Sequence, residues 1–258
     1  MFRRTSLALA LLLAAAVPAR GEAPARRTIT VAAAANLKLA VEDLKKAFEA
    51  EQAGAEVAVT LGASGTFFAQ IQNGAPFDVF LSADREYPAK LVAANLAAAA
   101  DERVYAIGKL VAWLPPGSKL DLEKRGLAAL ADPSVKRIAM ANPAVAPFGR
   151  ATEWAFRSAG VYDAVKEKLV LGTSVAQAAQ FATTGAADVA FLPYSLTFGP
   201  ELAAGKTILV PEAIYPKMEQ SGVVLASSKE PELARAFLAF TGGEKGRAIL
   251  AKYGYGLP

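Results

Sequence analysis

Residues 29–81 read ITVAAAANLKLAVEDLKKAFEAEQAGAEVAVTLGASGTFFAQIQNGAPFDVFL, and the fold follows from this stretch. Ile29–Ala33 is a short apolar run that predicts a strand. Asn36 then sits where a helix N-cap belongs, and Leu37, Val41, Leu44 and Phe48 recur at helical spacing behind it. Glu56–Leu61 alternates and is rich in valine, which predicts a second strand. Gly62–Gly65 turns the chain into another helix ending near Gly74, and after Gly74-Ala75-Pro76 comes a third strand, Asp78–Leu81. Strand, helix, strand, helix, strand in that order implies a parallel sheet covered by helices.

A second unit follows in the same style. Val111–Leu114 predicts a strand stopped by Pro115-Pro116-Gly117, and Ile138–Ala141 predicts another. Pro147–Ser158 reads as a helix with proline in its first turn, Leu169–Leu171 leads into a helix from Ser174, and Val189–Leu192 is again strand-like. Extended structure returns at Val223–Leu225, and two helical stretches, Glu232–Phe240 and Glu244–Tyr253, end the chain. The plain reading is one α/β domain. The sharper one is two α/β lobes, each a mostly parallel sheet flanked by helices, joined by two crossing strands.

Ahead of this body, Arg3 and Arg4 precede an apolar run from Leu7 to Val17 and small residues at Ala19 and Gly21. That is the layout of a secretory signal peptide over residues 1–21, with a run too short for a bilayer, which needs roughly 20 residues. The chain has 28 basic and 24 acidic residues, and removal of Arg3, Arg4 and Arg20 leaves 25 against 24. A near-neutral body without a basic stripe argues against nucleic acid as partner. With no cysteine there is no disulfide and no lipid-carrying N-terminal cysteine, so export points to a released periplasmic protein rather than a lipoprotein. With no histidine, His-assisted triads and histidine metal sites are closed, and no Ser-x-x-Lys offers a histidine-free secreted hydrolase. No cofactor is expected.

Four turns that run from a strand into a helix share one chemistry: Ala33-Ala34-Ala35-Asn36, Gly62-Ala63-Ser64-Gly65-Thr66, Ala146-Pro147-Phe148-Gly149 and Gly172-Thr173-Ser174-Val175. Helix starts offer free backbone N–H groups and the positive end of the helix dipole, which suits an anion. A serine or asparagine at such a place is also an ordinary cap. None of these turns carries Asp, Glu, Lys or Arg, so the donors are neutral and the carboxylates and tyrosines that ferric iron requires are missing. An all-donor pocket leaves a donor unpaired against the proton of hydrogen phosphate and fits a fully ionised dianion: molybdate, tungstate or sulfate. Gly205-Lys206-Thr207 looks like the end of a nucleotide loop, but five residues separate it from Gly199 where four are required. Asp78 and Asp84 flank a strand end, where they suggest either paired carboxylates for acid–base catalysis or turn or hinge residues, and no second acidic group accompanies them in a motif.

Residues 32–37 (AAAANL), 62–66 (GASGT), 74–84 (GAPFDVFLSAD) and 142–149 (NPAVAPFG), with the ending 242–255, closely resemble the periplasmic molybdate-binding proteins over essentially the whole exported chain. The resemblance implies a two-lobe type II periplasmic binding protein, with lobe I formed by residues 28–107 plus 220–258 and lobe II by residues 108–219. It implies capture of molybdate or tungstate, a sulfate-like oxyanion being the alternative, and delivery to an ABC permease by a monomer. Carried over position by position, Asn36 and Ser64 donate to the anion from lobe I, and the N–H groups of Phe148 and Val175 donate from lobe II. Tyr194 lies one residue beyond the slot where some members place a ligand tyrosine, which Pro193 fills here, so core or hinge packing is the first reading of Tyr194 and contact with the anion the second.

Overall fold

The computed structural model describes residues 26–258; the expected signal peptide lies outside them. The chain builds two five-stranded sheets. In the first, β1 (Arg27–Ala34) lies between and parallel to β2 (Ala55–Gly62) and β3 (Val79–Leu81). Helix α1 (Ala40–Glu51) joins β1 to β2, and α2 (Ser64–Gln72) joins β2 to β3, giving the crossovers that the order of residues 29–81 requires. Beyond β3 come α3 (Glu86–Ala93) and the strand β4 (Arg103–Gly108).

One residue, Lys109, separates β4 from β5 (Leu110–Leu114), which belongs to the second sheet. That sheet gathers β6 (Ile138–Ala141), β7 (Leu169–Gly172) and β8 (Val189–Pro193), with β7 and β8 parallel to β6. Its helices are α4 (Leu122–Arg125), α5 (Pro147–Ser158), α6 (Tyr162–Val165) and α7 (Val175–Thr183). The antiparallel edge strand β9 (Lys206–Leu209) closes it against β5. The chain then returns to the first sheet as β10 (Met218–Val224), inserted antiparallel between β3 and β4, and ends in α8 (Pro231–Gly242) and α9 (Glu244–Lys252). The two crossings, β4 into β5 and β9 into β10, are the connecting strands between lobes.

The apolar run of β1 has a physical cause. Ile29, Val31 and Ala33 pack on the α1, α8 and α9 side, while Ala32 packs with Phe67, Phe80 and Leu91 on the other. Both faces are covered, so the strand reads as continuously apolar rather than alternating. The second lobe has its own core, in which Phe156 meets Phe191 edge-on at 4.7 Å and Trp113 is buried with its Nε1–H donating to the Leu202 carbonyl at 2.9 Å. Lys206 and Thr207 lie in β9 with Trp113 packed over Gly205, so a strand, not a helix, follows the glycine and no nucleotide loop exists there.

Asp78 is a structural carboxylate. It accepts from Thr30 N–H at 2.7 Å, Thr30 Oγ1 at 2.8 Å, Ser228 Oγ at 2.7 Å and Lys229 N–H at 3.1 Å, tying β1 to the segment after β10. Burial works against its charge, yet these four donors hold its pKa below the ordinary 3.8.

Candidate anion-binding site

The lobes meet face to face, and the strand-to-helix turns converge between them. Residues Asn36, Ser64, Phe148 and Val175 line one cavity of about 10 Å³, with Gly62 and Pro147 beside them. The space between the turns is narrow, without the room for a sugar, peptide or nucleotide. No charged residue lines it among the described residues. Wider clefts exist, including one of about 340 Å³ beside Lys38 and Glu201. There the two charges pair with each other at 3.1 Å.

Three helix N-termini supply the donors. Ser64 is the first residue of α2, Phe148 the second of α5 and Val175 the first of α7, so their N–H groups have no acceptor within their own helices. None of the three bonds elsewhere in the described chain. Each helix start carries about half a positive charge. Together they offset much of a dianion's charge without a single cationic side chain. Proline at the head of α5 fits because its missing N–H falls where no intrahelical acceptor exists.

Ser64 is 1% exposed, and its Oγ accepts from the Ala83 N–H at 3.0 Å, leaving the hydroxyl proton free. It is therefore not a cap. Ser174 is one: its Oγ accepts from Gln177 N–H at 3.4 Å, and the cavity is lined by Val175 instead.

Asn36 corrects the sequence reading. It lies in a 3-10 turn, Ala35–Leu37, ahead of α1, and caps no helix. Its Nδ2 donates to Gln220 Oε1 and to the Tyr255 hydroxyl, both at 2.9 Å. Its carbonyl accepts from Tyr255 and, across the lobes, from Ser195 Oγ, both at 2.8 Å. Tyr105 completes the buried network, donating to the Ser82 carbonyl at 2.7 Å. Burial raises both phenols above their ordinary value, so they stay protonated donors. Gln220, Tyr105, Tyr255 and Ser195 had no local signal in the sequence.

Tyr194 is not at the cavity. Pro193 ends β8, and the Tyr194 ring turns into a 3-10 segment to stack edge-on with Phe198 at 5.0 Å against Gly254. It packs the contact between the lobes.

Two further ties hold the lobes together around the cavity. Gly65 N–H donates to the Val145 carbonyl at 2.8 Å, and Arg150 forms an ion pair with Asp84 while bonding the Tyr87 hydroxyl at 3.1 Å. Burial pushes the Asp84 carboxyl above the usual range, against the pull of the Tyr87 N–H and Arg150. Among the described residues no helix is long and apolar enough to cross a membrane, and no cluster of three His, Cys, Asp or Glu side chains could hold a metal ion.

The family model for bacterial extracellular solute-binding proteins matches residues 29–256. The chain belongs to that family. It is 36% identical over 253 residues to the molybdate-binding protein ModA of Rhodobacter capsulatus, covering 98% of this chain and 96% of that one. The solved periplasmic molybdate-binding protein of Azotobacter vinelandii superposes with a TM-score of 0.82 at 33% identity, over 89% of this chain and 99% of that one. The sulfate-binding protein SubI of Mycobacterium tuberculosis, at 20% identity and a TM-score of 0.73 over 88% and 86% of the two chains, shares the fold. The family is one of transport receptors rather than enzymes, and the two-lobe architecture here is its architecture.

Proposed function

We propose that the chain is the periplasmic receptor of a molybdate importer. It captures molybdate, and tungstate with it, between lobe I (residues 28–107 plus 220–258) and lobe II (residues 108–219). It then delivers the anion to an ABC permease in the inner membrane. In this reading it is exported by a cleaved signal peptide, carries no lipid anchor and acts as a monomer.

One observation carries the proposal: three helix N-termini and a buried serine hydroxyl converge from both lobes on a cavity with no charged lining. A dianion is the complement of such a surface. Closure works by adding the Phe148 and Val175 N–H groups of lobe II to the Asn36 and Ser64 donors of lobe I, so full coordination exists only in the closed state. Fixed backbone donors also set the distance between opposing oxygens. A larger tetrahedral anion fills that span, and a smaller one such as sulfate leaves it slack.

Calorimetric titration of the dialysed protein with molybdate, tungstate, sulfate and hydrogen phosphate tests this. Tight binding of the first two, at least about 100-fold weaker sulfate and no heat from hydrogen phosphate are expected. Preference for sulfate, or no response to any of the four, would overturn the reading.

A further inference from the structure

The anion cavity has no charge of its own, yet a dianion bound there must first be drawn out of water. Of the residues lining the cavity and the cleft of about 340 Å³, only Lys38 and Glu201 are charged among the described residues. The two spaces adjoin along the chain: Lys38 lies two residues beyond Asn36, and Ala176, on the other wall of the cleft, one residue beyond Val175. The body as a whole carries little net field, with 25 basic and 24 acidic residues beyond the expected signal peptide. Local charge therefore decides what an incoming anion feels.

Lys38 and Glu201 belong to different lobes, and each is fixed within its own. Lys38 follows the 3-10 turn Ala35–Leu37, its N–H donating to the Ala35 carbonyl at 3.3 Å, so it keeps its place beside Asn36 however the lobes sit. Glu201 precedes Leu202, whose carbonyl accepts from the buried Trp113 Nε1–H in the core of the second lobe. With the lobes together, Lys38 Nζ donates to both carboxylate oxygens of Glu201 at 3.1 Å. The two side chains are 43% and 65% exposed, so the pair adds little to the stability of closure. Its consequence is a different one: opening the lobes uncovers a cation next to the Asn36 turn, and closing them neutralises it. Arg150, which also pairs across the lobes, has the opposite polarity. Opening leaves its partners Asp84 and Glu86 on lobe I, near the Ser64 turn, and carries the arginine away with lobe II. That side of lobe I repels an anion, and Lys38 is the charge that attracts one.

We propose that Lys38 draws the dianion onto lobe I before closure, and that Glu201 takes up its charge as the lobes close. The lysine then speeds capture without touching the bound anion, and discrimination between anions stays with the neutral donors of the cavity. This rests on the molybdate reading above, because steering needs a charged ligand.

The test is stopped-flow association and dissociation of molybdate with wild type, K38Q, E201Q and the exchanged pair K38E/E201K, followed by tryptophan fluorescence. Trp154 is the reporter: it is 58% exposed on α5 and shares a groove with Arg85 and Glu86 of lobe I. One unit charge about 7 Å from the path of a dianion changes its local concentration in water by about sevenfold. K38Q should therefore associate about 3- to 10-fold more slowly at about 10 mM salt, and within about twofold of wild type at about 0.5 M, where the charge is screened. E201Q keeps the cation and should associate at least as fast as wild type. The exchanged pair separates steering from latching. It restores an ion pair across the lobes, so dissociation should stay within about threefold of wild type, but it sets an anion beside Asn36, so association should be slower than in K38Q. A lysine that only latches the lobes would leave the association rate of K38Q unchanged and speed its dissociation, and the exchange would restore wild-type behaviour. Either of those results, or a slowing that persists undiminished at high salt, would overturn the role of Lys38 alone. A wild type that binds no molybdate would overturn the functional reading and this one with it.

Discussion

Replacing Ser64 by alanine removes an oxygen that serves two purposes, and the two separate cleanly in measurement. The hydroxyl proton has no acceptor among the described residues and is available to the anion, while the oxygen accepts the buried Ala83 N–H at 3.0 Å. Loss of a hydrogen bond to a charged ligand costs about 1.5–3 kcal/mol, which raises the molybdate Kd by about 10- to 150-fold. The orphaned Ala83 N–H costs about 1–3 kcal/mol with or without ligand. In a chain of this size that lowers the Tm of the empty protein by at least about 2 °C. Because the second cost is common to both states, it cancels from the affinity. Calorimetric titration reads the first effect, and scanning calorimetry of the empty protein reads the second. At fixed saturating molybdate, the ligand-induced stabilisation should shrink by about 1.4 kcal/mol for each tenfold loss of affinity. A Kd within about twofold of wild type, alongside a lowered Tm, would refute the assignment: Ser64 would then be a structural acceptor that never touches the anion.

Other substitutions separate closure, scaffold and site. In Gly65→Ala the new Cβ would stand 2.9 Å from the Val145 backbone across the lobes, so titration should show at least about tenfold weaker molybdate binding. The same Cβ would stand 2.5 Å from the Tyr87 hydroxyl within lobe I, so the empty protein should unfold in urea at an unchanged or lower midpoint, that contact offsetting the about 1 kcal/mol that alanine gains over glycine in a helix. Asp78→Asn turns one acceptor oxygen toward two donors as an NH₂ group, and urea unfolding at neutral pH should show a loss of about 1–3 kcal/mol. The folded pKa of Asp78 lies below 3.8, so its contribution is present above that value and lost as pH falls through the folded pKa. The acid limb of the stability profile should therefore flatten in the variant. Tyr194→Phe should leave the Kd for molybdate within about twofold of wild type, because the ring packs on Phe198 and Gly254 away from the cavity; a larger loss would place the hydroxyl at the anion.

The first lobe was legible because its central strand is covered on both faces. Ile29, Val31, Ala32 and Ala33 are all fully buried, and such a run followed by a helical repeat leaves little choice of topology. The turns at Ser64, Phe148 and Val175 were legible because a helix start has its own composition, whatever it binds. β4 and β9 were not read as strands. Their burial is mixed, with exposed Arg103, Lys206 and Leu209, as suits strands at the edges of their sheets. Asn36 was misread for a related reason. Asparagine behind a strand looks like a cap to any local pattern, but its amide reaches partners 184 and 219 residues away. Long-range polar networks leave no spacing in a sequence, and Gln220, Tyr105, Ser195 and Tyr255 stayed invisible on that ground. The packing role that the sequence offered for Tyr194 has a visible cause: Pro193 ends β8, and the ring then turns into a 3-10 segment against Phe198.

Anomalous diffraction from crystals grown with molybdate, collected across the molybdenum edge, locates the anion independently of any affinity. The expected result is one strong peak between the lobes, its oxygens within about 2.7–3.2 Å of Ser64 Oγ and the N–H groups of Ser64, Phe148 and Val175. A peak in the cleft beside Lys38 and Glu201, or no ordered molybdenum in a protein that binds it in solution, would contradict the claim that three converging helix ends hold the anion.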